Sequence, residues 1–199
     1  SITSVLLSDK GEIREFSRHK NPDGTLGGFV EKTALVESTA YIASSAIVAE
    51  YGKVKGNARV DGKAIVSGSA EVSENAVIRD NAQVFGDAKV SGNTVVSGFA
   101  TIFGKAQVLK NSEVGGDSLV FGGVVVISSI IRSSAVFEGA VIRDSTLYKS
   151  KVAGNASLIE SRVYNSEVYG NTKAENIEML QAKIDGSPYI GKIEQAKRQ

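Results

Sequence analysis

Two short segments show the pattern on which most of the chain is built. Residues 56–61 read Gly-Asn-Ala-Arg-Val-Asp, and residues 86–91 read Gly-Asp-Ala-Lys-Val-Ser. In both, a small residue stands two positions before a β-branched one. Residues two apart in a strand point to the same side, so Ala and Val face one way and the residue between them faces the other. Glycine with Asn or Asp tolerates a left-handed backbone. Each six-residue unit therefore predicts a short strand and a sharp corner.

The same unit recurs without a break. Stepping by six from Val30 to Val126 meets seventeen positions, and each of them is Val or Ile. The residue two before each is small in sixteen of the seventeen units, Val124 being the exception. Six is not a helical period, because apolar residues at that spacing would spread around a helix of 3.6 residues per turn. The repeat therefore predicts a solenoid of strands.

The period shortens after Val126 in a regular way. From Val120 to Val168, the steps between inward-facing Val, Ile or Leu residues read 6, 5, 5, 6, 5, 5, 6, 5 and 5. A pattern in groups of three indicates three units per turn of the solenoid. The first part then has 18 residues per turn and the second part has 16. We expect about eight turns, stacked roughly 4.8 Å apart.

These units resemble the hexapeptide-repeat family. Its consensus is an aliphatic residue, a small or acidic one, two variable ones, a small one and a variable one. The resemblance covers residues 28–170 and implies an all-β fold, the left-handed parallel β-helix with a triangular cross-section. Residues 26–32, Leu-Gly-Gly-Phe-Val-Glu-Lys, with the Gly-Asn-Ala-x-Val units that follow, also resemble uncharacterised bacterial and prophage-borne repeat proteins that carry a transferase label. That label rests on the fold, which does not fix function.

The two ends of the solenoid need covers, because open sheet edges expose unpaired backbone groups. We expect residues 1–27 to form a β cap, since two apolar stretches flank Asp9-Lys10-Gly11 as in a hairpin. The β-helix is expected over 28–170, and a helix with a short tail over 171–199. Residues 172–175, Thr-Lys-Ala-Glu, match a helix capping box. Ile177, Leu180 and Ile184 follow at helical spacing.

Composition narrows the range of functions. The chain has 199 residues and a net charge of +1, with no run of one sign, so binding to nucleic acid or to an anionic membrane is not expected. The sequence has no 18-residue apolar stretch and no signal-peptide pattern at its start. These features favour a cytoplasmic protein, with association with a virion as the alternative that the prophage resemblance implies. Cysteine is absent, which excludes disulfides and thiolate catalysis.

Candidate catalytic groups are few. Transferases of the resembled family commonly use a histidine as general base, often near a long loop. This chain has one histidine, His19, which precedes the repeats, and no step between Val30 and Val168 exceeds six, so no loop projects. We expect His19 to be a solvent-facing cap residue, with a general base as the less favoured reading. A His/Cys metal site is excluded, and the corner aspartates read as corner formers more simply than as calcium ligands. No catalytic residue, metal site or cofactor is predicted.

The outward positions of one face carry the clearest functional signal. Phe85, Phe103, Phe121 and Phe137 follow inward residues in four consecutive turns, and we call them the Phe ladder. Stacked turns would place their rings roughly 4.8 Å apart. Leu119 lies on the same face. An apolar stripe of this length is uncommon on a monomer surface and indicates an interface.

The sequence leaves open which of three partners covers this stripe. Self-association, with a trimer favoured, comes first, then burial by the chain's own termini, then a different protein partner. The favoured function is a non-enzymatic structural or protein-interaction module that presents flat β-helix faces, with a phage- or prophage-related role as a weaker reading. The alternative is a trimeric, acyltransferase-like hexapeptide-repeat transferase with its site between subunits.

Overall fold

The computed structural model describes residues 3–7, 9–186 and 190–191, and the side chains of residues 9–186. In these residues the chain is all-β and no helix is present. Most strands are two or three residues long.

The strands are numbered in chain order. The first group comprises β1 Thr3–Leu7, β2 Ile13–Lys20, β3 Leu26–Glu31, β4 Leu35–Val36, β5 Tyr41–Ile42, β6 Ile47–Val48, β7 Lys53–Val54, β8 Arg59–Val60, β9 Ile65–Val66 and β10 Glu71–Val72. The middle group comprises β11 Val77–Ile78, β12 Gln83–Val84, β13 Lys89–Val90, β14 Val95–Val96, β15 Thr101–Ile102, β16 Gln107–Leu109, β17 Glu113–Gly115, β18 Leu119–Val120, β19 Val125–Ile127 and β20 Ile130–Arg132. The last group comprises β21 Ala135–Val136, β22 Val141–Arg143, β23 Thr146–Tyr148, β24 Lys151–Val152, β25 Ser157–Ile159, β26 Arg162–Tyr164, β27 Glu167–Tyr169, β28 Lys173–Glu175, β29 Glu178–Leu180, β30 Lys183–Asp185 and β31 Ile190–Gly191.

Every third strand pairs in parallel, which produces three sheets. The first sheet has the order β1-β2-β3-β6-β9-β12-β15-β18-β21-β24-β27-β30. The second runs β31-β28-β25-β22-β19-β16-β13-β10-β7-β4, and the third runs β29-β26-β23-β20-β17-β14-β11-β8-β5. Each turn thus contributes one strand to each sheet, and the parallel β-solenoid has about 9 turns. The predicted repeat of three units per turn is confirmed.

The core is the column of inward residues that the repeat marks. Val60, Val66 and Val72 have no exposed surface, and neither do Ala64 and Ala70 between them. Alternation of a small and a branched side chain fills the interior with few voids. The backbone N–H of one turn bonds to a carbonyl of the next, as from Phe85 to Ile102 at 3.0 Å. Backbone pairing along three sheets and an apolar centre hold the solenoid together.

The C-terminal helix predicted within 171–199 is wrong for the residues described. β28, β29 and β30 occupy this stretch and add another turn, which is why the solenoid exceeds the eight turns expected. Ala174, Met179 and Ile184 continue the inward column after Val168, in steps of 6, 5 and 5. Their partners in the preceding turn satisfy the backbone, which an isolated short helix would have to do alone. The predicted tail lies largely outside the described residues.

The predicted N-terminal hairpin is present at one end of the solenoid. β1 and β2 pair antiparallel, and β2 pairs antiparallel with β3, so the first sheet extends past the first turn. At the open edge of the third sheet, the backbone of β5 is hydrogen bonded by a side chain instead of by a strand. Asn21 accepts a 2.9 Å bond from the Ile42 N–H and donates a 3.1 Å bond to the Ile42 carbonyl. The amide of Asn21 thus takes the place of a neighbouring strand.

Candidate interaction surface

The Phe ladder forms as predicted. Its residues follow β12, β15, β18 and β21 of the first sheet, which are paired in register. The ring centroids of Phe85 and Phe103 are 5.0 Å apart, those of Phe103 and Phe121 are 4.8 Å apart, and those of Phe121 and Phe137 are 5.2 Å apart. Each pair is within 5° of parallel. The parallel strands impose this stacking, because each repeats the side-chain direction of the one before.

The ladder presents ring edges to its surroundings. Each of the four phenylalanines is half-buried; Phe103 and Phe121 are stacked on both ring faces, and Phe85 and Phe137 on one. Binding of a nucleobase or a sugar on an aromatic platform needs a free ring face. Ring edges in a row instead offer a firm apolar ridge, which suits packing against apolar side chains.

The ladder lies within a longer surface free of charge, which we call the neutral strip. The strip covers the outward positions of the first sheet over six consecutive turns, from β6 to β21. It consists of Ile47, Ala49, Ile65, Ser67, Gln83, Phe85, Thr101, Phe103, Leu119, Phe121, Ala135 and Phe137. Glu31 ends it on one side and Lys151 on the other. Its first and last turns lie roughly 24 Å apart, and Leu119 is 43% exposed.

The other two sheets carry charge along the same length. The third sheet shows Arg59, Asp61, Arg79, Glu113 and Arg132 at its outward positions. The second sheet begins with Leu35 and Glu37, continues with Lys53, Lys55 and Lys89, and is apolar in its middle turns at Leu109, Val125, Ile127 and Val141. Val125 and Val141 each follow a ladder residue across one corner, four positions after Phe121 and Phe137. Gly122 and Gly123 stand between Phe121 and Val125, whereas the exposed Glu138 stands between Phe137 and Val141.

His19 is engaged in the N-terminal cap rather than facing solvent. The residue is half-buried, and its Nε2 lies 2.9 Å from the carbonyl oxygen of Ala40. A carbonyl only accepts, so Nε2 carries the proton and donates. This bond leaves Nδ1 as the unprotonated nitrogen of the neutral ring. His19 is half-buried and hydrogen bonded within the cap, instead of solvent-facing.

The shifted pKa values also have structural causes. The Arg14 guanidinium, hydrogen bonded to Glu31, lowers the pKa of that carboxyl. A hydrogen bond to Asp61 raises the pKa of Arg59. Burial raises the pKa of Tyr169, with Glu167 adding to the effect. Glu31, paired with Arg14, ends the neutral strip, and none of these groups occupies a position of the Phe ladder.

Within the part of the chain that is described, no group of three His, Cys, Asp or Glu residues is placed to hold a metal ion. No helix there is long and apolar enough to cross a membrane.

Comparison with known proteins gives matches among solved structures alone. No family model matches the chain, and no curated protein matches it. Twelve chains of solved structures match. One is the UDP-N-acetylglucosamine O-acyltransferase LpxA from Moraxella catarrhalis RH4, with 17% sequence identity and a TM-score of 0.40. The match covers 81% of this chain and 66% of that enzyme, just under two thirds of its length.

Proposed function

We propose that this chain is a rigid interaction module that associates with copies of itself through the first sheet, with the Phe ladder and Leu119 at the centre of the contact. The assembly proposed is a trimer. The observation that carries the proposal is the neutral strip, twelve outward positions over six turns without one charged side chain. Depletion of charge with enrichment of aromatic residues is the compositional mark of an interface core.

A second copy is the partner that the charge pattern favours. In a symmetric assembly the same surface of each copy lies near the symmetry axis, so equivalent side chains approach one another. On the second and third sheets this would bring like charges together, which is unfavourable. The neutral strip avoids that penalty. With a net charge of +1, whole copies also repel one another little.

The finer shape of the solenoid belongs to the same proposal. We take it as left-handed and three-sided, supported by one strand per sheet in each turn and by left-handed backbone at the corners, as at Gly86 and Gly104. Each of these glycines directly follows a ladder residue. The ladder is then a ridge beside a corner, and three such ridges fit around a three-fold axis.

The transferase alternative requires a general base and a donor pocket between subunits. No single observation favours it here, since the one histidine of the sequence, His19, lies in the N-terminal cap and not on the neutral strip. A trimer built on the neutral strip would nevertheless create clefts between copies. Acyl transfer to a test amine or sugar, measured with the purified trimer, would support the transferase alternative.

The test is mass in solution by light scattering. We expect the intact chain to be a trimer and the Phe103→Asp, Phe121→Asp variant to be a folded monomer, since two buried carboxylates would face their equivalents at the axis. The matched control is Tyr148→Asp, Tyr164→Asp, two aromatic residues in paired positions of the third sheet. This control should remain trimeric.

Circular dichroism on all three proteins separates loss of association from loss of fold. A monomeric intact chain would overturn the proposal and leave the neutral strip to the chain's own termini or to another protein. Trimers in both the intact chain and the ladder variant would move the contact to another sheet.

A further inference from the structure

The third sheet holds a depression between two arginines. Its volume is about 270 Å³. Arg79 and Arg132 line it from opposite ends, and Ser97 and Gly115 lie between them. These four residues occupy equivalent positions in four consecutive turns. We call this place the arginine depression.

The depression exists because the residues between the two arginines have small side chains or none. Gly115 has none, and a Cβ built there would approach the Ser97 hydroxyl oxygen to 3.1 Å. Ser97 lies between the two arginines, and Val95, Glu113 and Gly116 complete the lining. Turns are roughly 4.8 Å apart, so Arg79 and Arg132 start about 14 Å from each other. The two arginine side chains, extending toward each other from the two ends, are together long enough to span that distance.

The charges around the depression do not cancel. The Arg132 guanidinium pairs with the Glu113 carboxylate at 2.9 Å, and this ion pair holds the Arg132 side chain in place. Among the residues described, no carboxylate oxygen lies within ion-pairing distance of the Arg79 guanidinium. Two guanidiniums and one carboxylate leave an excess of one positive charge.

A second depression on the same sheet provides a contrast. It has a volume of about 390 Å³ and contains one arginine, Arg162, against Asp144, Glu160 and Glu178. Its lining therefore carries an excess of negative charge. The two places share a fold and a face and differ in sign, so only the arginine depression suits an anion.

We propose that the arginine depression binds a tetrahedral oxyanion, the phosphate or sulfate group of a small molecule. The planar guanidinium donates two parallel hydrogen bonds to such a group, and Arg79 is available to do so. The Ser97 hydroxyl donates a further bond from the floor. Arg132 contributes positive charge from the other end, while the Glu113 carboxylate competes with the anion for the Arg132 guanidinium.

The probes are inorganic phosphate and inorganic sulfate, titrated into the intact chain at low salt and followed by calorimetry. We expect saturable binding at one site per chain. Arg79→Gln should weaken it at least tenfold, because it removes a charged bidentate donor. Glu113→Gln should tighten it, because Arg132 is freed and a repelling carboxylate is lost. Preference for phosphate or for sulfate identifies which group the site takes.

Arg162→Gln is the matched control, since it removes the same charge from the same sheet outside the depression. Its affinity for the probes should equal that of the intact chain. The proposal is overturned if neither probe saturates, if Arg162→Gln weakens binding as much as Arg79→Gln does, or if Glu113→Gln fails to tighten it. The ion pair of Glu113 is exposed, at 60% for Arg132 and 50% for Glu113, so these variants should keep the fold.

Discussion

The backbone N–H of Ser145 donates a 3.1 Å hydrogen bond to the side-chain oxygen of Ser129, one turn earlier in the chain. Ser129 in turn donates its hydroxyl proton to the Ile127 carbonyl at 2.8 Å. In a six-residue unit the equivalent N–H bonds within its own corner, as Ala82 does to the Arg79 carbonyl at 3.2 Å. A five-residue corner lacks the residue that would close this bond, and the serine hydroxyl supplies the acceptor.

This relationship explains which small residue stands at each later corner. Serine occupies the five-residue steps and alanine the six-residue steps between Val126 and Val168. The serines are Ser129, Ser134, Ser145, Ser150, Ser161 and Ser166, and the alanines are Ala140 and Ala156. Each serine hydroxyl accepts from the N–H at the five-residue corner one turn later, as Ser112 and Ser118 also do for Ser129 and Ser134. The solenoid thus narrows from 18 to 16 residues per turn without leaving these buried N–H groups unpaired.

Ser145→Ala should destabilise the fold by about 1–3 kcal/mol. Ser145 is buried, donates to the Arg143 carbonyl at 2.7 Å and accepts from the Ser161 N–H at 2.9 Å, so alanine leaves that N–H without a partner. Denaturant unfolding measures the change. Ser157→Ala, at an outward position of β25, is the control and should change stability by less than about 0.5 kcal/mol. Equal losses in both variants would contradict the role given to the hydroxyl.

The sequence predicts the repeat, the three units per turn and the Phe ladder because each is fixed by periodicity alone. The sequence predicts a helix in place of the last turn, because Ala174 replaces the usual Val or Ile in the inward column and Ile177, Leu180 and Ile184 also fit a helical spacing. Yet Leu180 is 51% exposed, as an outward strand residue can be. The arginine depression is formed by four residues that spread over 53 positions of the sequence, from Arg79 to Arg132. The register of the stacked turns brings them together.

Asn21→Ala should cost about 2–4 kcal/mol, because it leaves both the N–H and the carbonyl of Ile42 without their side-chain partner. Asn21 is only 3% exposed, so water does not readily replace it. Thermal or denaturant unfolding measures the loss. Asn93→Ala is the control, since Asn93 is exposed and bonds only to Asn111, at 3.2 Å. A loss as small as that of the control would show that the edge of the third sheet needs no cap.

Gly92→Ala should destabilise the chain more than Gly24→Ala. Both glycines have positive φ, +75° and +84°, so alanine costs about 1 kcal/mol at either position. At Gly92 a Cβ would also lie 2.4 Å from the Lys110 carbonyl oxygen in the next turn, whereas nothing lies within 4 Å at Gly24. The stacked turns would have to separate to relieve the clash. Unfolding free energies of the two variants decide the point, and equal values would contradict it.

The stability contributed by Glu31 should depend on pH in a defined direction. Glu31 is 7% exposed and accepts bonds from Arg14 Nε at 2.8 Å and Arg14 Nη2 at 2.6 Å. The bond from Arg14 lowers the pKa of this carboxyl below its ordinary value of 4.5, with the Glu50 N–H assisting and burial opposing. A carboxyl whose pKa is lower in the folded state stabilises that state above its unfolded pKa, and the gain disappears as the pH falls through the folded pKa.

Glu31→Gln should therefore be less stable than the intact chain at pH 7, by about 1–2 kcal/mol. The difference should shrink steadily below about pH 4.5 and vanish once Glu31 is protonated in the folded chain. Denaturant unfolding at a series of pH values measures it. Glu15→Gln, which removes an exposed pair with Lys32, should change the stability at pH 7 by less than about 0.5 kcal/mol. A Glu31→Gln deficit that stayed constant down to pH 3 would mean that packing, and not the charge of Glu31, supports this corner.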